Sequence, residues 1–271
     1  MTDLNGKTAI VTGAGRGLGR AMAKGLFRAG AAVTLVELDA DVLDEAVAEI
    51  GDGCIGVAAD VSKPEDAQRI MDRTLAAFGG LHILVNNAGL GPERFRDTDR
   101  SNAKMIWEID FSDWQLFLDV NTTGHFVMTK AVMPHLLAQD WGRIVNVTTS
   151  LDTMTNYTNG AYGPSKAALE AHTAIMARDL DGTGVTANAL IPGGPANTRM
   201  IPDATGIPRD TLIQPEDMQA PAVWLASNDS DGHNGERFIA GHWNEGLEKA
   251  SAPCAWPQLG KQAILPKSIE R

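Results

Sequence analysis

Tyr162 and Lys166 are the two side chains of this sequence whose types and spacing best suit acid–base chemistry. They lie four residues apart in the segment Tyr162-Gly163-Pro164-Ser165-Lys166, ahead of a run of small residues. On a helix, residues four apart share one face, so the ammonium group would lie beside the phenol. A neighbouring cation lowers the pKa of a tyrosine from about 10, which would make the pair a general acid and base. The other interpretation is a tyrosine packed over a lysine side chain on a surface helix.

A glycine cluster near the start of the chain predicts an anion-binding turn. Residues 12–19 read T-G-A-G-R-G-L-G, with Gly13, Gly17 and Gly19 spaced G-x-x-x-G-x-G after an apolar strand. Glycines let the backbone turn tightly and approach a pyrophosphate, and the N-terminus of the following helix offers free N–H groups. Any tight strand-to-helix turn uses glycine, so the position of the cluster at the first such junction is what favours a dinucleotide site.

The acid Glu37 ends the second predicted strand, eighteen residues after Gly19. A carboxylate there can accept hydrogen bonds from the adenosine ribose and repels a 2′-phosphate, which favours NAD. Arg16, in the glycine cluster, favours the alternative, because a cation there could pair with the 2′-phosphate of NADP. We weigh Glu37 more heavily, and expect NAD with NADP as the less favoured cofactor.

The composition excludes several classes of partner. A net charge of −11 makes a nucleic-acid or anionic-membrane partner unfavourable. Cys54 and Cys254 match no metal or redox spacing, and the histidines form no H-E-x-x-H pattern, so we expect no metal site. The chain runs directly into its first strand and holds no apolar stretch of about 18 residues, so a cytoplasmic location is expected.

Short β-branched runs alternate with helical patterns along the chain. This alternation predicts one doubly wound Rossmann-type α/β domain, with a mostly parallel seven-stranded sheet and helices on both faces. The predicted strands are Lys7–Val11, Ala32–Val36, Ile55–Ala58, Ile83–Asn86, Ile144–Val147, Val185–Leu190 and Arg237–Ala240. The predicted helices are Leu18–Ala29, Asp41–Ile50, Pro64–Phe78, Asp113–Ala138, Ser165–Leu180 and Pro215–Ala226.

Three segments lie outside this alternation. Residues 94–110 form an insertion with mixed charge and aromatic residues, which we expect to shape the substrate mouth unless it is a surface excursion. Residues 192–214 are rich in Pro and Gly. We assign residues 1–243 to the dinucleotide-binding and catalytic domain and 244–271 to a C-terminal tail, which Trp256 and Leu259 suggest is packed.

Taken together, these motifs resemble those of the short-chain dehydrogenase/reductase family, over roughly residues 5–243. Seven of them occur in order: the glycine segment 12–19, Asp60-Val61, Asn86-Asn87-Ala88-Gly89, Asn121, a Thr/Ser cluster at 148–150, Tyr162-x-x-x-Lys166, and Pro192-Gly193.

The resemblance implies a cofactor set. Gly13, Gly17 and Gly19, with Arg16 and Leu18 in the same loop, would surround the pyrophosphate. The other implied contacts are Glu37 to the ribose, Asp60 and Val61 to the adenine, Asn87, Ala88 and Gly89 to the adenosine half, and Lys166, Tyr162, Pro192, Gly193 and Thr198 around the nicotinamide ribose and ring.

The resemblance also implies the catalytic roles. Tyr162 would exchange a proton with the substrate oxygen, Lys166 would depress its pKa, and Asn121 would hold a water in a proton relay. A hydroxyl that stabilises the substrate oxygen usually precedes the tyrosine by about thirteen residues, which lands on Thr149, while Ser150 is the more usual residue type. Either hydroxyl could donate, and we favour Ser150.

The implied activity is interconversion of a secondary alcohol and a ketone by hydride transfer with NAD. An NADP-dependent carbonyl reductase is the alternative, and a non-catalytic dinucleotide sensor is disfavoured by the intact catalytic set. Tyr157, Trp107 and Phe95 suggest an apolar or aromatic small-molecule substrate. Ala167, Ala168, Ala171 and Ala174 would permit close helix approach in the homotetramer or dimer common in this family.

Overall fold

The computed structural model describes residues 2–94 and 103–252. Phe95, Trp256 and Leu259, on which part of the sequence interpretation depends, lie outside these residues.

A single twisted sheet organises the described chain. Its strand order is β3-β2-β1-β4-β5-β6-β7-β8. The strands are β1 (Thr8–Thr12), β2 (Ala32–Glu37), β3 (Cys54–Ala58), β4 (Ile83–Asn86), β5 (Gly142–Val147), β6 (Val185–Ile191), β7 (Arg237–Ile239) and β8 (Ser251–Ala252). Neighbours from β3 to β7 pair in parallel, which confirms the predicted seven-stranded sheet. The two-residue β8 adds an antiparallel edge to β7, within the segment predicted as a tail.

The helices cover both faces of the sheet. They are α1 (Gly17–Arg28), α2 (Ala40–Ile50), α3 (Pro64–Phe78), α4 (Phe111–Leu118), α5 (Gly124–Ala138), α6 (Leu151–Thr155), α7 (Tyr162–Asp179), α8 (Gln219–Leu225) and α9 (Leu247–Ala250). Successive strand residues point to opposite faces, so a strand covered on both sides is apolar throughout. In β1, Ala9 and Val11 join the core layer that contains Leu26 of α1, and Ile10 joins the layer that contains Ile70 of α3.

The strand order reverses between β1 and β4. From β1 the chain proceeds outward to β2 and β3, then returns to place β4 on the other side of β1. In sheets of this kind, ligands bind in the crevice outside the carboxyl ends of the strands at such a reversal. The loops that leave β1, β4 and β5 therefore build the site.

The predicted helix 113–138 is interrupted in the structure. A π-helical turn, Asp119–Thr123, separates α4 from α5 and contains Asn121. A π turn holds one residue more than an α-helical turn. The apolar pattern on either side is continuous, so sequence periodicity does not reveal this additional residue. The interruption follows from tertiary contacts, because the Asn121 side chain bonds to Leu90 and to Ser165 of α7. Such π turns are frequent at functional sites.

The segment 192–214 has little regular structure. It contains short 3-10 turns at Asp203–Thr205 and Arg209–Thr211, and one isolated bridge joins Ala196 to Ile213. Within the described residues, no helix combines the length and hydropathy needed to cross a membrane.

His125 of α5 makes the stability of the folded protein depend on pH. Its side chain is fully buried and its Nε2 lies 2.8 Å from the carbonyl oxygen of Ala88, to which it donates. Burial, with a smaller contribution from the charge of Lys166, lowers the pKa of His125 to about 3. The neutral imidazole is therefore part of the folded structure.

We expect the free energy of unfolding to fall as the pH is lowered from 7 to 5. The unfolded chain binds a proton at His125 near pH 6.5, whereas the folded protein does not, so stability is lost below about pH 6.5. At pH 5 this group alone accounts for about 2 kcal/mol. Urea unfolding of wild type and His125→Gln at both pH values measures the effect, and the variant should lose less stability. Exposed His242→Gln is the control, and an unchanged pH dependence in His125→Gln would contradict the assignment.

Candidate active site

Two adjoining cavities lie at the carboxyl edge of the sheet. The first has a volume of about 470 Å³ and includes Tyr162, and the second, of about 210 Å³, lies against the glycine segment. They share a wall formed by Leu18, Asn87, Gly89, Thr198 and Met200. An elongated ligand could therefore lie across both.

The first two turns of α7 bring Tyr162 and Lys166 to the first cavity. Tyr162 is 8% exposed and Lys166 5% exposed. The Lys166 Nζ donates to the carbonyl oxygen of Val147 at 2.9 Å, at the end of β5. The predicted pairing of the two residues on one helix face thus places both against the same strand end.

Burial dominates the ionisation of both groups. It raises the pKa of Tyr162 to about 12, against a lowering effect of a hydrogen bond with Thr149, and the charge of Glu93 adds to the increase. Burial also lowers the pKa of Lys166 to about 8. The structure thus differs from the expectation that Lys166 depresses the pKa of Tyr162. The ammonium group is directed to Val147, and the phenolate would lose its hydration in this setting.

The two candidate hydroxyls have different surroundings, although both line the first cavity. The Thr149 side chain hydrogen-bonds to Tyr162. The Ser150 hydroxyl caps α6, where it accepts from the Thr153 amide at 3.2 Å and lies 2.7 Å from the Thr153 hydroxyl. The residue thirteen positions before the tyrosine, Thr149, is therefore the one in contact with it.

A buried ion pair that the sequence analysis did not identify holds the main chain of Thr149. Arg237 of β7 donates from Nη2 to the Thr149 carbonyl oxygen at 2.6 Å, and its Nε lies 2.9 Å from Oε1 of Glu170. Glu170, one turn beyond Lys166 on α7, also accepts from the Thr148 hydroxyl at 2.9 Å. The two charged side chains are 5% and 1% exposed. These contacts tie the end of β5 to α7 on one side and to β7 on the other.

Asn121 connects the loop after β4 to α7. Its Nδ2 donates to the carbonyl oxygen of Leu90 and to the hydroxyl of Ser165, both at 3.0 Å, and its Oδ1 accepts from the Leu90 amide at 2.8 Å. Gly89 leaves room for this contact, because a Cβ there would lie only 3.2 Å from the Asn121 Oδ1. The side chain thus has a structural role, and its expected part in a proton relay stays a prediction.

The glycine segment fits a bound pyrophosphate. Gly13 and Gly17 have positive φ angles of 62° and 54°, which favour glycine. A Cβ at Gly13 would lie 2.8 Å from the Ala88 Cα, and one at Gly19 would overlap the Gly13 carbonyl. The Asn87 Nδ2 braces the turn by donating to the Thr12 carbonyl oxygen at 2.9 Å. The chain after β4 therefore packs directly on a cradle that side chains would fill.

Glu37 and Arg16 both line the second cavity. The Glu37 Oε1 accepts from the Leu38 amide at 2.9 Å, and its Oε2 from the Gly15 amide at 3.3 Å. The Arg16 side chain pairs instead with Asp39, at 3.2 Å. Main-chain amides thus hold Glu37 at the end of β2, while Arg16 pairs with Asp39, the N-cap residue of α2.

Most of the predicted site residues lie at these cavities. The second is lined by Gly13, Arg16, Gly17, Leu18, Glu37, Asp60, Val61, Asn87, Ala88, Gly89 and Thr198. The first is lined by Thr149, Ser150, Tyr162, Lys166, Pro192 and Gly193. Gly19 and Asn121 act through the packing described above.

Several other residues that line the cavities were not predicted from the sequence. Pro92, Glu93, Asn156, Asn159 and Ile201 line the first cavity, and Leu38, Leu90, Val120, Arg199 and Met200 the second. All but Val120 belong to connections between the main elements, and periodicity does not predict which loop residues face a cavity.

The two described aromatic residues that suggested an apolar substrate do not line the cavities. The described ones, Tyr157 and Trp107, are 66% and 80% exposed and lie outside both linings. No described residue of 103–110 lines either cavity, so the role of the insertion stays a prediction. Among the described residues, no three His, Cys, Asp or Glu side chains gather as they would around a metal ion.

Comparison with known proteins places this site in a family. The family model for short chain dehydrogenases matches residues 7–205. The chain belongs to the short-chain dehydrogenase/reductase family. A 3-oxoacyl-[acyl-carrier-protein] reductase of Synechocystis is 35% identical over 237 residues, which are 84% of this chain and 92% of that protein. Glucose 1-dehydrogenase 2 of Bacillus subtilis is 31% identical, over 84% and 90%.

Solved structures agree with this membership. The 3-ketoacyl-(acyl-carrier-protein) reductase of Brucella melitensis, solved in complex with NADH, superimposes with a TM-score of 0.77 at 27% identity. The match covers 88% of this chain and 97% of the other. The chain is accordingly an oxidoreductase of the family that acts on CH–OH groups and binds a nicotinamide dinucleotide.

Proposed function

We propose that this family member is an NAD-dependent oxidoreductase that interconverts a secondary alcohol and a ketone. The observation that carries the proposal is that Thr149, Tyr162 and Lys166 line one cavity that adjoins the glycine cradle. Substrate oxygen can reach both hydroxyls there, beside the place where the nicotinamide end of a dinucleotide would lie.

Each residue of the proposed site has a role that follows from its functional group. The nicotinamide supplies the hydride acceptor or donor when it is bound. Tyr162, whose pKa is raised to about 12, donates its proton to the ketone oxygen in reduction, and in oxidation its phenolate form accepts the proton of the alcohol. Thr149 donates a hydrogen bond to the same oxygen as its charge develops. Lys166 lies one turn beyond Tyr162, and its ammonium group would bind the ribose hydroxyls of the cofactor.

Replacement of Tyr162 by Phe tests the assignment. We expect kcat/KM to fall by roughly 10²–10⁴, because a positioned proton donor contributes about that much, while NADH binding is retained. Steady-state absorbance of the reduced nicotinamide over a panel of secondary alcohols and ketones gives the rates, and NADH fluorescence the binding. The matched control is Tyr157→Phe, which removes the exposed tyrosine and should keep wild-type rates. Near-full activity in Tyr162→Phe would overturn the mechanism.

A second pair of variants decides between the neighbouring hydroxyls. Thr149→Val removes the hydroxyl in contact with Tyr162 and keeps the shape of the side chain, so we expect kcat to fall by about 10²–10³. Ser150→Ala removes the cap of α6, which costs about 1 kcal/mol of stability and leaves kcat within a few-fold of wild type. Steady-state rates and thermal unfolding of both variants separate the effects. The reverse ranking would assign the role to Ser150.

The preference for NAD follows from charge at the ribose end of the second cavity. The Glu37 carboxylate is held there by two main-chain amides, whereas Arg16 is engaged by Asp39. A 2′-phosphate would meet the like charge of Glu37, and Arg16 would have to leave Asp39 in order to pair with it.

Glu37→Ser should therefore reduce the difference in binding affinity between NADH and NADPH. We expect wild type to bind NADH more tightly than NADPH, and the variant to reduce that ratio about tenfold or more, which corresponds to about 1.4 kcal/mol. Titration of NADH and NADPH fluorescence measures both constants. Glu45→Ser, an exposed carboxylate of α2, should leave the ratio unchanged. A wild type that binds NADPH more tightly would overturn the preference.

We also propose that copies of this chain associate through α5 and α7. Phe126 and Ile175 on these helices are 50% and 59% exposed, and the small residues Ala167, Ala168, Ala171 and Ala174 leave room for close approach. Light scattering tests this directly, since a monomeric mass would contradict it.

A further inference from the structure

Arg199 belongs to a segment that reaches from the glycine segment to the loop after β4. Its neighbours Thr198 and Met200 line both cavities, whereas Arg199 lines only the second. Thr198 packs against the glycine segment, because a Cβ at Gly17 would lie 3.2 Å from the Thr198 Cγ2. Met200 packs against the loop after β4, because a Cβ at Gly91 would lie 2.8 Å from the Met200 Sδ. Arg199 is therefore held between the glycine segment and that loop.

The Arg199 side chain is available to a ligand. It forms no hydrogen bond or ion pair with any residue of the described ranges 2–94 and 103–252. It is also exposed, so a ligand in the second cavity can reach it. A guanidinium is a planar cation whose N–H groups bind phosphate oxygens in pairs.

The other charged side chains around the two cavities are already engaged. Arg16, which also lines the second cavity, pairs with Asp39. The acids of that cavity, Glu37 and Asp60, each accept from main-chain amides. Lys166, in the first cavity, donates to a main-chain carbonyl oxygen. Of the described cations that line the two cavities, only Arg199 is thus without a partner.

A bound pyrophosphate needs more positive charge than the glycine segment supplies. The N-terminus of α1, at Gly17, acts as roughly half an elementary charge. Each phosphate of a dinucleotide carries a full negative charge, so the amides of the turn leave part of that charge uncompensated. A cation that lies beside Gly17 and has no other partner can supply the remainder.

We propose that Arg199 binds the pyrophosphate of the dinucleotide together with the glycine segment. The inference rests on the cofactor binding that the proposed function requires, and it holds whichever alcohol is the substrate.

Ligands that share an adenosine and differ in their phosphates test this contact. They are adenosine, ADP-ribose, NADH and NADPH, of which only adenosine lacks the pyrophosphate. We expect Arg199→Gln to weaken the binding of ADP-ribose, NADH and NADPH about tenfold or more, because it removes the charge, and to leave adenosine unchanged. Fluorescence titration gives the constants for the two reduced cofactors, and calorimetric titration those for adenosine and ADP-ribose.

Two further measurements separate a charge contact from a structural role of the segment. Arg199→Lys should restore part of the affinity for ADP-ribose, because it keeps the charge and loses the paired geometry. Raising the salt concentration from about 0.05 M to about 0.5 M should weaken ADP-ribose binding to wild type more than binding to Arg199→Gln, since salt screens the ion pair. A merely structural role would weaken adenosine as well and give no such difference.

The matched control is Arg73→Gln. Arg73 is an exposed arginine of α3 that lines neither cavity, so the same change of charge there should leave all four binding constants as in wild type.

The outcomes separate this inference from the proposed function. If wild type binds NADH and Arg199→Gln binds NADH and ADP-ribose equally well, the contact is overturned and the proposed function stands. If the variant loses affinity for NADPH alone, Arg199 contacts the 2′-phosphate, and the inference is overturned as well. If wild type binds neither NADH nor NADPH, the proposed function fails and the inference with it.

Discussion

The site depends on the buried polar contacts that tie α7 to the end of β5. Lys166 and Glu170, one turn apart, reach the carbonyl oxygen of Val147 and the hydroxyl of Thr148, and Arg237 completes the connection to Thr149. A buried charge is tolerated only where partners replace its lost hydration. The same contacts that satisfy these charges fix the distance between helix and strand, and hence between Tyr162 and Thr149.

Around the glycine segment, hydrogen bonds between uncharged groups hold the loops after β1 and β4 together. Asn87 bonds to the carbonyl oxygens of Thr12 and Gly13, and the hydroxyl of Thr12 accepts from the amides of Asn87 and Ala88. The loops after β1 and β4 are thereby locked together where the strand order reverses. A parallel sheet brings the carboxyl ends of its strands to one edge. The contacts between α7 and β5 and those between the loops after β1 and β4 therefore both lie near the wall that the two cavities share.

The two cavities differ in how charge is arranged. In the second, Glu37 is held by main-chain amides and Arg16 is paired elsewhere, which suits a neutral ribose. In the first, burial raises the pKa of Tyr162 to about 12, and the charge of Glu93 acts in the same direction. Burial pushes the pKa of Lys166 the other way, to about 8, since it penalises whichever form is charged.

The amino-acid pattern alone was sufficient to predict a mostly parallel sheet of seven strands, the glycine cradle and the pair on α7. These features follow from local rules: apolar runs of strand length, glycines where the backbone must turn, and helical spacing. Only the tertiary structure decided the rest. The π turn at Asn121, the antiparallel β8, the contact of Thr149 rather than Ser150 with Tyr162, and the Arg237–Glu170 pair all join residues far apart in sequence. The tertiary structure also decided the ionisation of Tyr162, because burial, which no spacing of residues reveals, raises its pKa although a lysine lies four positions away.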